Sequence, residues 1–269
     1  MTAETFMEKI GLSESAQKEI GRWNPGQAER EDWERLYRTD EESFWQKLRM
    51  EEQPRRLALV LFVTFAISAH EEYRKKGIAD QIYFDTFRDI AIWNRECKRK
   101  YGEEGLAEVE WISRSVKLQL FRLGRLQFEP GTLEKELFRN GEALPVGTPV
   151  LYVHIPAEEP LSEEACRDSF RRAAEFWKNT KRIYVCESWL LSPHLKDILK
   201  EDSNILRFQE MFELAGVDED SRQAEERVFG KFLADKNKYP EKTSLQRAMK
   251  AYLLNHNRVG SGTGVRLED

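Results

Sequence analysis

Residues 150–155, Val-Leu-Tyr-Val-His-Ile, and 183–186, Ile-Tyr-Val-Cys, are two apolar runs of strand length separated by a single amphipathic segment. Pro156 closes the first run, because proline has no N–H for the next ladder bond, and Ser162 stands where a helix N-cap belongs. Glu163 and Glu164 then fall in the first turn, where the helix dipole favours anions. Cys166, Phe170, Ala173 and Trp177 recur at intervals of four, three and four, which places them on one helix face, and Lys178 and Lys181 lie at its C-terminal end. Strand, helix and strand in this order predict a parallel crossover, right-handed by the general rule, with any site beyond the carboxyl ends of the strands. Those ends carry His154 and the run Cys186-Glu187-Ser188-Trp189.

Upstream of this unit the periodicity is helical. Segments 3–10 and 13–22 are short amphipathic helices, the second closed by Asn24-Pro25-Gly26; Trp33, Leu36 and Tyr37 share a face; and Asp40 caps a segment with Phe44, Trp45 and Leu48. Pro54 opens an apolar helix that Gly77 ends, residues 80–100 form another, and a last one runs through Leu106, Val109 and Ile112. Roughly six helices therefore make up an N-terminal domain, residues 1–115, with Trp23, Trp33, Trp45 and Trp93 most simply in its core. Residues 116–269 change character. Segment 118–128 alternates Leu and Phe with Arg and Gln, with Gly124 marking a bulge or close approach. Residues 133–138 read as a strand, and Asn140-Gly141 as a hairpin turn. Beyond the central unit, Ser192-Pro193 starts a helix, 204–214 and 227–232 read as strands, 244–255 as a helix, 260–264 as a flexible turn and 265–267 as a last strand. The expected class is α+β, an all-helical domain followed by a mixed sheet of about six strands.

Forty-eight acidic against 43 basic residues, a net charge of −5, leave no basic footprint for nucleic acid. The most apolar run, 57–69, is shorter than the roughly 20 residues a bilayer span requires, so no membrane role is expected. Residues 1–10 do not read as a signal peptide, and three dispersed cysteines fit a reducing, cytoplasmic compartment. No two histidines or cysteines have metal-ligand spacing, and no metal is expected. The glycines at 260, 262 and 264 lack the lysine of a phosphate loop and read as structural.

Four separated motifs, residues 121–128 (Phe-Arg-Leu-Gly-Arg-Leu-Gln-Phe), His154-Ile155-Pro156, residues 186–191 (Cys-Glu-Ser-Trp-Leu-Leu) and residues 203–208 (Ser-Asn-Ile-Leu-Arg-Phe), resemble a bacterial acyltransferase-like family. Its members pair a helical N-terminal domain with a GNAT-like C-terminal domain. The resemblance implies a splayed central sheet, an acyl-CoA slot between neighbouring strands, and transfer of the acyl group to a small-molecule amine. It also implies that the pantetheine pairs with the strand at Val153 and Ile155, and that a glycine-rich loop sets the pyrophosphate on the next helix N-terminus. Here that loop is Pro-Ala-Glu-Glu-Pro-Leu-Ser over residues 156–162, without glycine and with carboxylates Glu158 and Glu159, which repel a phosphate. This departure favours the alternative, a catalytically silent GNAT-like module that binds a small molecule or a protein.

The candidate residues each carry two readings. His154 is a general base, since imidazole titrates near neutrality, or a histidine bonded to a neighbouring carbonyl. Glu187 follows an apolar strand and is the carboxylate expected to act as base or to bind the amine, burial raising its pKa. Cys186 is core filling before it is a nucleophile. Ser188 and Trp189 line a pocket or pack; Asn204 binds substrate or belongs to the Asp202-Ser203-Asn204 turn. Arg122 and Arg125 grip a phosphate or carboxylate bidentately, or pair structurally with Glu129 or Glu187.

Overall fold

The computed structural model describes residues 1–23, 25–157, 159–178, 182–256 and 258–268; Asn24, Glu158 and Lys181, which figured in the sequence reading, lie outside them. The chain divides into two compact units, Met1–Leu123 with Pro156 and Ala157, and Gly124–Ile155 with the chain from Glu159 onward.

Among the described residues the first unit holds seven helices: α1 (Ala3–Lys9), α2 (Glu14–Arg22), α3 (Gln27–Thr39), α4 (Glu41–Met50), α5 (Pro54–Lys75), α6 (Asp80–Tyr101) and α7 (Val109–Val116), then the short strand β1 (Phe121–Leu123). Their ends follow the local chemistry. Ser13 and Asp40 accept the N–H groups of Ala16 and Ser43, Pro54 occupies the first turn of α5, and Gly102 ends α6 at φ +75°. Apolar nearly all round, α5 is buried from Leu57 to Val63. Trp33, 1% exposed, packs edge-on to Phe44, while Tyr37 stacks on Phe65 at 4.8 Å. Buried hydroxyls find partners: Tyr73 donates to the Ser115 carbonyl and Tyr83 to that of Ala66, both at 2.7 Å. No described helix is long and apolar enough to cross a membrane.

In the second unit the elements are β2 (Leu126–Thr132), β3 (Leu137–Arg139), β4 (Glu142–Leu144), β5 (Pro149–His154), α8 (Glu163–Phe176), β6 (Arg182–Ser188), α9 (Leu195–Ile198), α10 (Asn204–Gln209), β7 (Glu213–Asp218), α11 (Gln223–Phe229), α12 (Ser244–His256) and β8 (Ser261–Glu268). Five strands lie in the order β2-β5-β6-β8-β7. Only β5 and β6 run parallel; the other neighbours are antiparallel, so the sheet is mixed as expected. One face packs on α8, where Phe128, Phe170 and Tyr184 meet at ring separations of 5.0–5.8 Å. The other face buries Val150, Ile183, Val185 and Val265 with Leu133 and Leu137, beside the β3–β4 hairpin. That hairpin turns through Asn140 and Gly141, φ +48° and +79°, the left-handed pair an Asn-Gly turn provides. A third cluster joins Leu195, Leu206, Phe229, Met249 and Leu253 of the late helices.

Five readings are corrected. Residues 133–138 are not one strand: β3 covers Leu137–Arg139, and 133–136 lie outside any strand. Segment 118–128 is not one extended run: Gly124 (φ +80°) and Arg125 form a turn between β1 and β2, and a Cβ at Gly124 would meet Ser169 Oγ at 3.0 Å. Residues 204–214 are not a strand but α10 followed by β7, because Ser203 caps Ile205 and starts a helix. Residues 227–232 are not a strand: 227–229 close α11, which Gly230 ends at φ +80°, and 230–232 lie beyond it outside any helix or strand. Ser261–Glu268, read as a turn with a three-residue strand, is the full strand β8 between β6 and β7.

Candidate functional site

The parallel ladder between β5 and β6 pairs Leu151 with Tyr184 and Tyr152 with Val185, and ends there. Both strands continue, β5 to His154 and β6 to Ser188, each still paired on its outer side, β5 with β2 and β6 with β8. The sheet is therefore split at the carboxyl ends of its two parallel strands, between a β2–β5 half and a β6–β8–β7 half. Side chains alternate along a strand, so Tyr152 and His154 share a face with Val185 and Glu187, and Val153 points to the α8 face with Cys186 and Ser188. His154 and Glu187 thus stand on opposite lips of the split, on the face away from α8.

His154 Nε2 lies 2.9 Å from Glu129 Oε2, with side chains 27% and 20% exposed. Glu187 departs from expectation. Its side chain is 53% exposed, pairs with Lys135 Nζ at 2.8 Å and accepts from Thr263 Oγ1 at 3.3 Å, so the burial on which a role as base rested is missing. Tyr152 shares this face; its hydroxyl donates to the Thr132 carbonyl at 3.0 Å. Burial first, then the charges of Glu134, Glu187 and Glu129, hold its pKa above the ordinary tyrosine value.

The remaining candidates are mostly occupied by structure. Ser188 Oγ accepts the Leu190 N–H at 3.2 Å and caps the turn Trp189–Leu191. The N–H of Trp189 donates to Gln223 Oε1 at 2.7 Å, and its indole packs against the late-helix cluster. Asn204 is exposed, at the start of α10. Arg122, in the first unit, is 2% exposed and donates its backbone N–H to Thr86 Oγ1 at 2.9 Å. Arg125 binds backbone: Nε donates to the Pro160 carbonyl at 3.0 Å and Nη2 to that of Glu159 at 2.8 Å, so its guanidinium pins the segment leading into α8. Val153 is buried and Ile155 half-buried at the end of the β5 lip. Glu129 entered the sequence reading only as a partner for Arg122 or Arg125; its place beside His154 depends on the β2–β5 register, which local sequence does not carry.

A family model described as an N-acyltransferase N-terminal domain matches residues 1–118, and one described as a GNAT-like C-terminal domain matches residues 120–266. The chain belongs to this GNAT-like N-acyltransferase family. An acyltransferase in complex with decanoyl-CoA and teicoplanin has the same fold, with a TM-score of 0.78 at 23% identity over 98% of this chain and 87% of that one. A mutant acyltransferase in complex with octanoyl-CoA gives 0.78 at 22%, covering 99% and 88%, and an acyltransferase in complex with CoA and 10C-teicoplanin gives 0.78 at 22%, covering 98% and 87%. No functionally curated protein matches the chain in sequence.

In this GNAT-like chain the start of α8 is already supplied with negative charge. Ser162 Oγ caps the Ala165 N–H at 3.3 Å, and Glu163 and Glu164 occupy the first turn. Behind it Ser169, fully buried, ties α8 to the Gly124–Arg125 turn: its Oγ accepts from Arg125 N at 2.8 Å and Leu126 N at 3.2 Å and donates to the Ala165 carbonyl at 2.9 Å. Ser169→Ala leaves two buried N–H groups without that acceptor and is expected to destabilise by about 1–3 kcal/mol, read as a lower urea midpoint at unchanged m-value. The cysteines make a second test. Cys97, Cys166 and Cys186 are free and buried, and burial pushes the first two thiols up to about 11 and Cys186 further in the same direction. A thiol reagent at pH 8 should titrate none of the three promptly in the native protein and all three in denaturant; a fast-reacting native thiol would contradict this packing.

Proposed function

We propose that this chain transfers an acyl group from acyl-CoA to a small-molecule amine, with the thioester at the split between β5 and β6 and His154 as the general base. The observation that carries this reading is the two-pair parallel ladder: strands that part at their carboxyl ends leave backbone donors and acceptors for a ligand rather than for each other. The amides of the pantetheine arm would pair along the β5 lip from Val153 to Ile155, and backbone N–H groups at the split would polarise the thioester carbonyl. The amine nitrogen attacks that carbonyl, the C–N bond forms and the C–S bond breaks. The proton lost by nitrogen goes to the His154 imidazole, and sulfur leaves as the CoA thiolate, to be protonated by water. Membership of the N-acyltransferase family supports the reaction, and the acyl-CoA held by proteins of the same fold supports the donor.

The test is the thermal midpoint of the protein with acetyl-, octanoyl- and decanoyl-CoA, followed by release of free CoA thiol with a panel of amines. A ligand at about a hundred times its Kd stabilises by roughly 2.7 kcal/mol, which moves the midpoint by several degrees at this chain length. A shift with an acyl-CoA and none with ADP is expected, because the carboxylates at the start of α8 oppose a phosphate there. No shift and no thiol release across the panel would overturn the reading in favour of a binding module.

A further inference from the structure

The second unit places one histidine–carboxylate pair on the strands that form the split. Two others, His70 with Asp80 and His194 with Glu219, belong to α5 with α6 and to the start of α9. Resting on the acyl-transfer reading above, we propose that Glu129 is a positioning residue that sets the tautomer and direction of the His154 imidazole. The placement follows from register: β2 and β5 pair Gln127 with His154 and Glu129 with Tyr152, so Glu129 is the diagonal neighbour of His154 on the same face. Across an antiparallel pair that diagonal is within reach of long side chains, and the two close to 2.9 Å. A carboxylate only accepts, so Nε2 carries the hydrogen and the lone pair that takes a proton from the amine is on Nδ1. Other charged groups gather on this face as well. Glu187 is engaged by Lys135 and Thr263, and Glu134 joins them around Tyr152.

Glu129→Gln tests this at nearly constant size. The neutral amide can accept from Nε2–H or, turned over, donate to Nε2 and select the opposite tautomer, as an asparagine does in place of the aspartate of a serine-protease triad. With octanoyl-CoA and an amine that the wild type acylates, kcat should fall by about 10- to 100-fold, part of the roughly 10²–10⁴ that a positioned base contributes, while KM for octanoyl-CoA stays within about twofold. Long-range proton–nitrogen NMR of histidine-labelled protein should show His154 as the Nε2–H tautomer in the wild type and as a mixture or the Nδ1–H form in the variant. Wild-type kcat in Glu129→Gln, or a wild-type His154 in the Nδ1–H form, overturns the proposal. So does a variant that only melts earlier, with tautomer and kcat unchanged. A wild type that acylates nothing refutes the acyl-transfer reading, and the spectra still decide whether Glu129 sets the imidazole. Should Glu129→Gln fail to fold, Glu129→Ala and the wild-type spectrum carry the same decision.

Discussion

His154→Ala should lower kcat for acyl transfer by about 10²–10⁴-fold and leave KM for the acyl-CoA nearly unchanged, because the imidazole is asked to act only as the proton leaves the attacking nitrogen. His154 stands on the β5 lip with its side chain 27% exposed and its Nε2 2.9 Å from Glu129. Initial rates of thiol release from octanoyl-CoA, at matched folded protein, measure the effect. Glu187→Gln is the informative comparison. An exposed carboxylate tied to Lys135 and Thr263 is not poised to take a proton, and its loss should cost no more than a few-fold. If Glu187→Gln proves the more damaging of the two, the base has been assigned to the wrong lip. If His154→Ala keeps rates within about threefold of wild type, the imidazole carries no proton in this reaction.

The contrast between these two residues marks how far the sequence reaches. The β5–α8–β6 unit was legible because its signals are local: Pro156 stops a strand, Ser162 caps a helix, and the four-three-four spacing from Cys166 to Trp177 fixes the buried face. The helices of the first unit were legible for the same reason, through Asp40, Pro54 and Gly77. What failed was either too short for periodicity or dictated from far along the chain. In α10 the buried pair Leu206 and Phe208 fits a strand's alternation as well as a six-residue helix, and only the Ser203 cap decides. Arg125 reads either as a grip for a phosphate or carboxylate or as a structural partner of Glu129 or Glu187, and its bonds to two carbonyls some 35 positions later could not be read from the sequence around it. The apolar run before Glu187 suggested a buried carboxylate, but alternation turns that side chain to the open face while Cys186 and Ser188 turn inward. The split between β5 and β6, and the Glu129–His154 diagonal, are properties of strand pairing, which no single stretch of sequence encodes.

Gly262→Ala should destabilise the second unit by about 3 kcal/mol or more, at or beyond the upper end of what overpacking ordinarily costs. Gly262 lies mid-sheet on β8, opposite Ser188 of β6 and Val217 of β7. A Cβ built there meets the Leu191 carbonyl carbon at 2.7 Å, its oxygen closer still, and Leu214 Cδ1 at 3.0 Å. The leucine methyl can rotate away; the carbonyl cannot, because Leu191 ends the turn that Ser188 caps directly after β6. This is why a glycine-rich segment forms a strand here: bare backbone lets that turn lie against the sheet. Relief would require the turn to move, and with it the β6 lip, so the variant should also lose the thermal shift with octanoyl-CoA. Gly21→Ala supplies the opposite sign. It lies within α2 with nothing inside 4 Å of its Cβ, and alanine should stabilise by about 0.5–1 kcal/mol through helix propensity. Urea midpoints of both variants measure the pair. A Gly262→Ala protein as stable as wild type would mean that β8 does not lie in this register between β6 and β7, and the split sheet on which the proposed reaction depends would have to be redrawn.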